Sequence, residues 1–91
     1  LTYDQWRELL RDVPLPAAVV DLDAFDRNTD WFARVALDAG GAHTLRLATK
    51  SVRVPALVSR VLDYGRPYRG LMCFAAAEAE FLAGEGWDDL L

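Results

Sequence analysis

Apolar segments that read as strands begin near residues 18, 44, 70 and 89, and stretches of helical periodicity lie between them, giving spacings of 26, 26 and 19 residues. Alternation at this pitch excludes hairpins as the main connection. Strands separated by a helix run parallel and are joined by right-handed crossovers. The predicted order is one helix followed by β-α-β-α-β-α-β, which is an α/β fold.

Local signals place the elements. Thr2 and Gln5 stand three apart ahead of Trp6, Leu9 and Leu10, the capping-box pattern of a helix that should run to about Arg11. Pro14 and Pro16 end it, and residues 17–22 read as a strand with Asp23 as the following N-cap. Phe25, Phe32, Val35, Ala36 and Ala39 share a face of the next helix, which Gly40-Gly41 terminates. Residues 44–49 alternate with period 2; Leu45 and Leu47 point one way, and Thr44, Arg46, Ala48 and Lys50 the other. Val54, Leu57, Val58, Val61 and Leu62 mark a helix with Pro55 in its first turn and Gly65 at its end. A strand over 70–74, a helix over 76–83 and a strand opening near residue 89 complete the pattern.

Two architectures satisfy it. An open four-stranded sheet could stand alone at this length, whereas a (β/α)8 TIM barrel needs about 250 residues and would be present only in its first part. An open sheet covered on both faces wants near-continuous Val, Ile and Leu, while a barrel interior carries polar groups near a site. Thr44, Arg46 and Lys50 on one face favour the barrel, incomplete in this chain. The domain reading is a lead-in helix and strand over 1–25 and the first barrel βα units over 26–91. The start at Leu1 and the stop at Leu90-Leu91, in the opening of a strand, suggest a fragment of something longer.

Composition removes several function classes. Ten Lys+Arg against fourteen Asp+Glu give a net charge of −4, and the arginines are scattered, so no phosphate-backbone footprint exists and nucleic acid is not an expected partner. No apolar run reaches the ~18 to 20 residues of a membrane span, and no signal peptide opens the chain. With Cys73 as the single cysteine, the simplest setting is the cytoplasm.

Lys50 is the only lysine among ten basic residues. On a strand over 44–50 it lies at the C-terminal end, where α/β folds place ligands and catalytic groups. An amine there can bind phosphate as a point charge or act as a Schiff-base nucleophile. Arg46 is four residues below on the same face, about 13 Å by Cα at ~3.3 Å per residue, within reach of the underside of the site. The plain alternative is a strand-end lysine extending into solvent.

Other residues tempt less. His43 precedes the strand and is about 23 Å from Lys50 by strand geometry, at the opposite end. Asp21 and Asp23 read as a turn acceptor and a helix cap. Glu78 and Glu80, two apart, cannot share a helical face, so at least one is solvated. Cys73 reads as core. Gly84 and Gly86 follow a helix and form a turn, not a phosphate loop. No Cys/His cluster suggests a structural metal.

Four blocks occur in order over about residues 14 to 91: Pro16, the apolar residues 17–20 and Asp21-Leu22-Asp23; Leu45-Arg46-Leu47-Ala48-Thr49-Lys50-Ser51; Phe74 through Glu78-Ala79-Glu80; and Gly86-Trp87-Asp88-Asp89-Leu90-Leu91. Together they resemble the fold-type III pyridoxal-phosphate enzymes, in the alanine racemase-like N-terminal barrel domain, particularly the D-threonine aldolase and D-serine dehydratase branch. The resemblance implies that Lys50 carries pyridoxal 5'-phosphate as an imine and acts on the substrate's protons, with Arg46 beneath the cofactor. It implies a full-length D-amino-acid lyase, a deaminase/dehydratase or an aldolase, working as a homodimer on small D-amino acids. A racemase and a non-catalytic pyridoxal-phosphate-binding protein of the same barrel are the alternatives. Many members of the branch have Pro-His where this chain has Leu47-Ala48. The phosphate loops, and the divalent-metal ligands of some members, lie outside these 91 residues.

Overall fold

A computed structural model describes residues 1–91. The elements are α1 (Tyr3–Leu9), α2 (Leu22–Asp38), β1 (Leu45–Ala48), α3 (Thr49–Val52), α4 (Pro55–Leu62), β2 (Tyr68–Met72) and α5 (Ala76–Gly84). β1 and β2 form a small open parallel sheet, and Leu90 adds a single parallel bridge to Leu71 on the far side of β2. Consecutive strands are therefore neighbours. This is a mixed α/β fold with a two-stranded sheet, and it is not a closed barrel.

The helix starts follow local chemistry. The Thr2 hydroxyl accepts from Gln5 N, and Gln5 Oε1 accepts from Thr2 N, so the capping box forms; the helix stops at Leu9, two residues short of expectation. α2 starts earlier than the sequence suggested. Asp21, not Asp23, is its N-cap, with Oδ1 accepting from Ala24 N at 3.0 Å. The strand expected over 17–22 does not form: residues 17–21 are irregular and exposed. A short apolar segment becomes a strand only when a neighbour takes up its N–H and C=O groups, and no neighbouring strand lies beside it.

Side chains sort the two faces of the sheet. Val58 of α4, Leu71 of β2 and Leu82 of α5 form the buried core, with Leu47, Val52, Leu62, Cys73, Trp87 and Leu90 packed around them. Tyr68 Oη donates to Thr29 O at 2.7 Å, and Arg60 makes paired 2.6 Å bonds to Asp26, which docks α2 on the same side. The buried stripe of α2 is Thr29, Ala33 and Ala36, small residues that allow close approach, whereas the expected Phe32 and Val35 are about half exposed. The opposite face, with Arg46, Ala48, Gly70 and Met72, lies away from this core.

β2 begins two residues before the expected strand and contains an irregularity: Leu45 pairs with Tyr68 but Leu47 with Leu71. The extra residue is absorbed at Gly70, whose φ is +70°. A Cβ here would collide with Asp89 O and lie 2.5 Å from Arg46 Nη1, so a side chain is excluded by space as well as by conformation.

Candidate functional site

The β1 strand ends at Ala48, and the chain turns at once into the single-turn helix α3, which places Lys50 on a helix and not on the strand face expected for it. The cause lies one residue earlier. Thr49 is 2% exposed, and its hydroxyl donates to Met72 O at 3.2 Å, which bends the chain over the end of β2 instead of extending the ladder. Lys50 still stands at the C-terminal end of the parallel strands. It is exposed, and its amine has no ion-pair partner.

Beside it opens a cavity of about 390 Å³. Pro55, Val58, Phe74 and Phe81 give the walls an apolar character, and Thr49, Lys50, Arg53 and Glu78 are the polar groups. Arg53 closes α3 with φ +54°, and its Nε donates to Lys50 O at 3.1 Å. Glu78 reaches back from the first turn of α5, where Oε2 accepts from Phe74 N at 2.7 Å. That bond is the first cause of a Glu78 carboxyl held below its ordinary range, against an opposing effect of burial. Burial, and secondarily the Glu78 charge, push the Cys73 thiol up, and this half-buried cysteine packs against the core.

Arg46 is not brought to Lys50. Its guanidinium runs across the sheet: Nη1 donates to Asp89 O at 3.1 Å and to Leu71 O at 3.4 Å, and Nη2 meets Asp89 Oδ1 at 2.5 Å. Arg69 Nε adds a 3.1 Å bond to Asp89 Oδ2. Arg46 thus fastens β1, β2 and the segment around Asp89 together. His43 is exposed in the loop before β1, at the opposite end from Lys50. Glu80 is exposed on α5, while Glu78 is half-buried at the cavity.

Thr49 and Arg53 are residues that the sequence did not point to, and Glu78 figures there only as one of two acids of which at least one is solvated. Glu78 carried a usable signal, an acid in the first turn of a helix whose N-cap is Ala75 and cannot cap it by side chain. No three His, Cys, Asp or Glu side chains converge as metal ligands, and no helix is long and apolar enough to cross a membrane. Comparison with protein-family models, with curated proteins and with solved structures finds no match.

Proposed function

We propose that Lys50 is the amine that holds pyridoxal 5'-phosphate in a D-amino-acid lyase, and that these residues are the opening βα units of its (β/α)8 barrel. The observation that carries the reading is the position of Lys50: the chain's only lysine, exposed and without an ion-pair partner, at the C-terminal end of the parallel strands. A one-sided layer of helices supports the barrel, because a doubly wound sheet covers both faces and a barrel wall only its outer one.

The residues present fit the carbonyl end of such a cofactor. They offer a primary amine next to an apolar-walled cavity, and the terminal nitrogens of Arg53 at the same end make no hydrogen bond and remain for an anion. Arg46, committed to Asp89, serves the site by fixing the strands beneath it. When bound, the pyridine ring supplies an electron sink for the carbanion beside the substrate nitrogen. Lys50 would bind the group, and its freed amine would take or return the proton at the substrate Cα.

Incubation of the full-length protein with pyridoxal phosphate, borohydride reduction and tryptic mapping tests the assignment. A pyridoxyl group on Lys50 blocks cleavage there and yields one peptide covering residues 47–53, between the cuts after Arg46 and Arg53. The Lys50→Ala variant should lose the visible absorbance of the bound cofactor; an unchanged band overturns the assignment. Release of keto acid or aldehyde from D-amino acids identifies a lyase, D-to-L conversion a racemase, and cofactor binding without turnover a binding protein.

A further inference from the structure

Arg53 is the only residue other than glycine with a positive φ, +54°, and it closes the short helix that carries Lys50. Glycine takes this left-handed conformation freely and a side chain only at a cost, so the position keeps its guanidinium against the preference of its backbone. That guanidinium is held at one point. Its Nε donates to Lys50 O at 3.1 Å, and its two terminal nitrogens have neither a hydrogen bond nor an ion pair. They form a planar fork that matches the two oxygens of a carboxylate.

Lys50 and Arg53 line the cavity of about 390 Å³ together with Glu78, whose Oε2 accepts from Phe74 N and which forms an ion pair with neither cation. Phe74 and Phe81, 78% and 56% exposed, give the same cavity an open apolar wall. Unpaired charges of both signs beside an apolar wall suit a zwitterion that carries an apolar group. A phosphate dianion on Arg53 would also face the Glu78 carboxylate, whereas an amino acid brings an ammonium to it.

We propose that Arg53 binds the carboxylate of the substrate, an α-amino acid with an apolar side chain, its ammonium toward Glu78 and its side chain against Phe74 and Phe81. This rests on the reading of Lys50 as the reactive amine. The Nε bond ties the fork to the backbone of Lys50, so a carboxylate held there keeps the adjoining Cα beside the amine that takes its proton.

The test follows the visible band of the full-length protein loaded with pyridoxal phosphate as it is titrated with D-phenylalanine or with phenethylamine, the same molecule without its carboxylate. Either amine forms the bond to the cofactor's carbonyl carbon that the Lys50 amine gives up. Arg53→Gly removes the fork and suits the backbone, so its thermal midpoint should not fall. It should raise the half-saturating concentration of D-phenylalanine by at least roughly tenfold, the order for losing hydrogen bonds to a charged group, and leave that of phenethylamine unchanged. Equal weakening of both amines assigns Arg53 to the placement of Lys50 and overturns the carboxylate contact. Weaker binding of pyridoxal phosphate, with pyridoxal unaffected, gives the fork to the cofactor's phosphate and overturns it too. So does an unchanged D-phenylalanine response in Arg53→Gly, or no response in the unaltered protein. Each of these leaves Lys50 as assigned, while an unaltered protein with no visible band and no borohydride-trapped label at Lys50 overturns both readings.

Discussion

The residue with the most conspicuous ionic surroundings is Asp89, which receives Arg46 on one carboxylate oxygen and Arg69 on the other. The Arg46 hydrogen bond is the first cause, and the Arg69 bond a further one, of a carboxyl held below its ordinary value. A folded-state value below the unfolded one stabilises the fold fully above the unfolded value, near 3.9, and that stabilisation is lost as pH falls through the folded value. Asp89→Asn should therefore reduce stability at pH 7 and flatten its acid decline below about pH 4, as read from urea titrations across pH 3 to 7. An acid decline as steep as that of the unaltered protein would assign it to Asp26, Asp30 and Glu78, whose carboxyls are also held low. Sequence reading found Arg46 but aimed it along its own strand, at Lys50. Its partner lies 43 residues away, and only the pairing of strands puts the two within reach.

At the scale of elements, the start of α2 separates two aspartates that look alike in sequence. Asp21 accepts the Ala24 N–H as N-cap, while Asp23 lies inside the first turn, where its charge meets the helix dipole without capping. Asp21→Ala should cost about 1 kcal/mol in chemical denaturation and Asp23→Ala only a few tenths; equal losses would argue against the cap. Elements governed by their own residues were legible in the sequence: the Thr2–Gln5 box, the Pro55 start of α4 and the Gly40-Gly41 end of α2. Elements that depend on a neighbour were not. Residues 17–20 are a short apolar run like a strand but have nothing to pair with, and the buried Thr49 hydroxyl converts the end of a predicted strand into the helix that carries Lys50. The same dependence hid the place of Glu78 at the cavity, which follows from the adjacency of the α3 and α5 starts at the ends of paired strands.

The whole molecule is spread more widely than its length requires. Its radius of gyration is 15.8 Å, where a compact domain of this length is expected near about 12 Å. Its accessible surface is 6886 Å², against about 5,300 Å² for a folded monomer of this size. Only nine residues are buried, and Trp31, Phe74 and Phe81 are each more than half exposed. A core of Val58, Leu71 and Leu82 with partly covered neighbours is small beside the apolar surface left in water, and β1 has a free edge whose N–H and C=O groups can pair with another chain. Expressed by itself, the 91-residue chain should elute as oligomers or aggregates, bind a hydrophobic dye and melt without a sharp transition. Its affinity for pyridoxal phosphate should be weak, because a single exposed lysine adduct is open to hydrolysis and Arg53 is the only guanidinium beside it with unused terminal donors. The decisive measurement is light scattering coupled to size exclusion over a tenfold range of concentration. A monodisperse monomer with one cooperative melt would mean that three helices on one face of a two-stranded sheet suffice for a domain. The bare face bearing Arg46 and Met72 would then be an ordinary solvent face, and the argument for a barrel wall would lose its structural support.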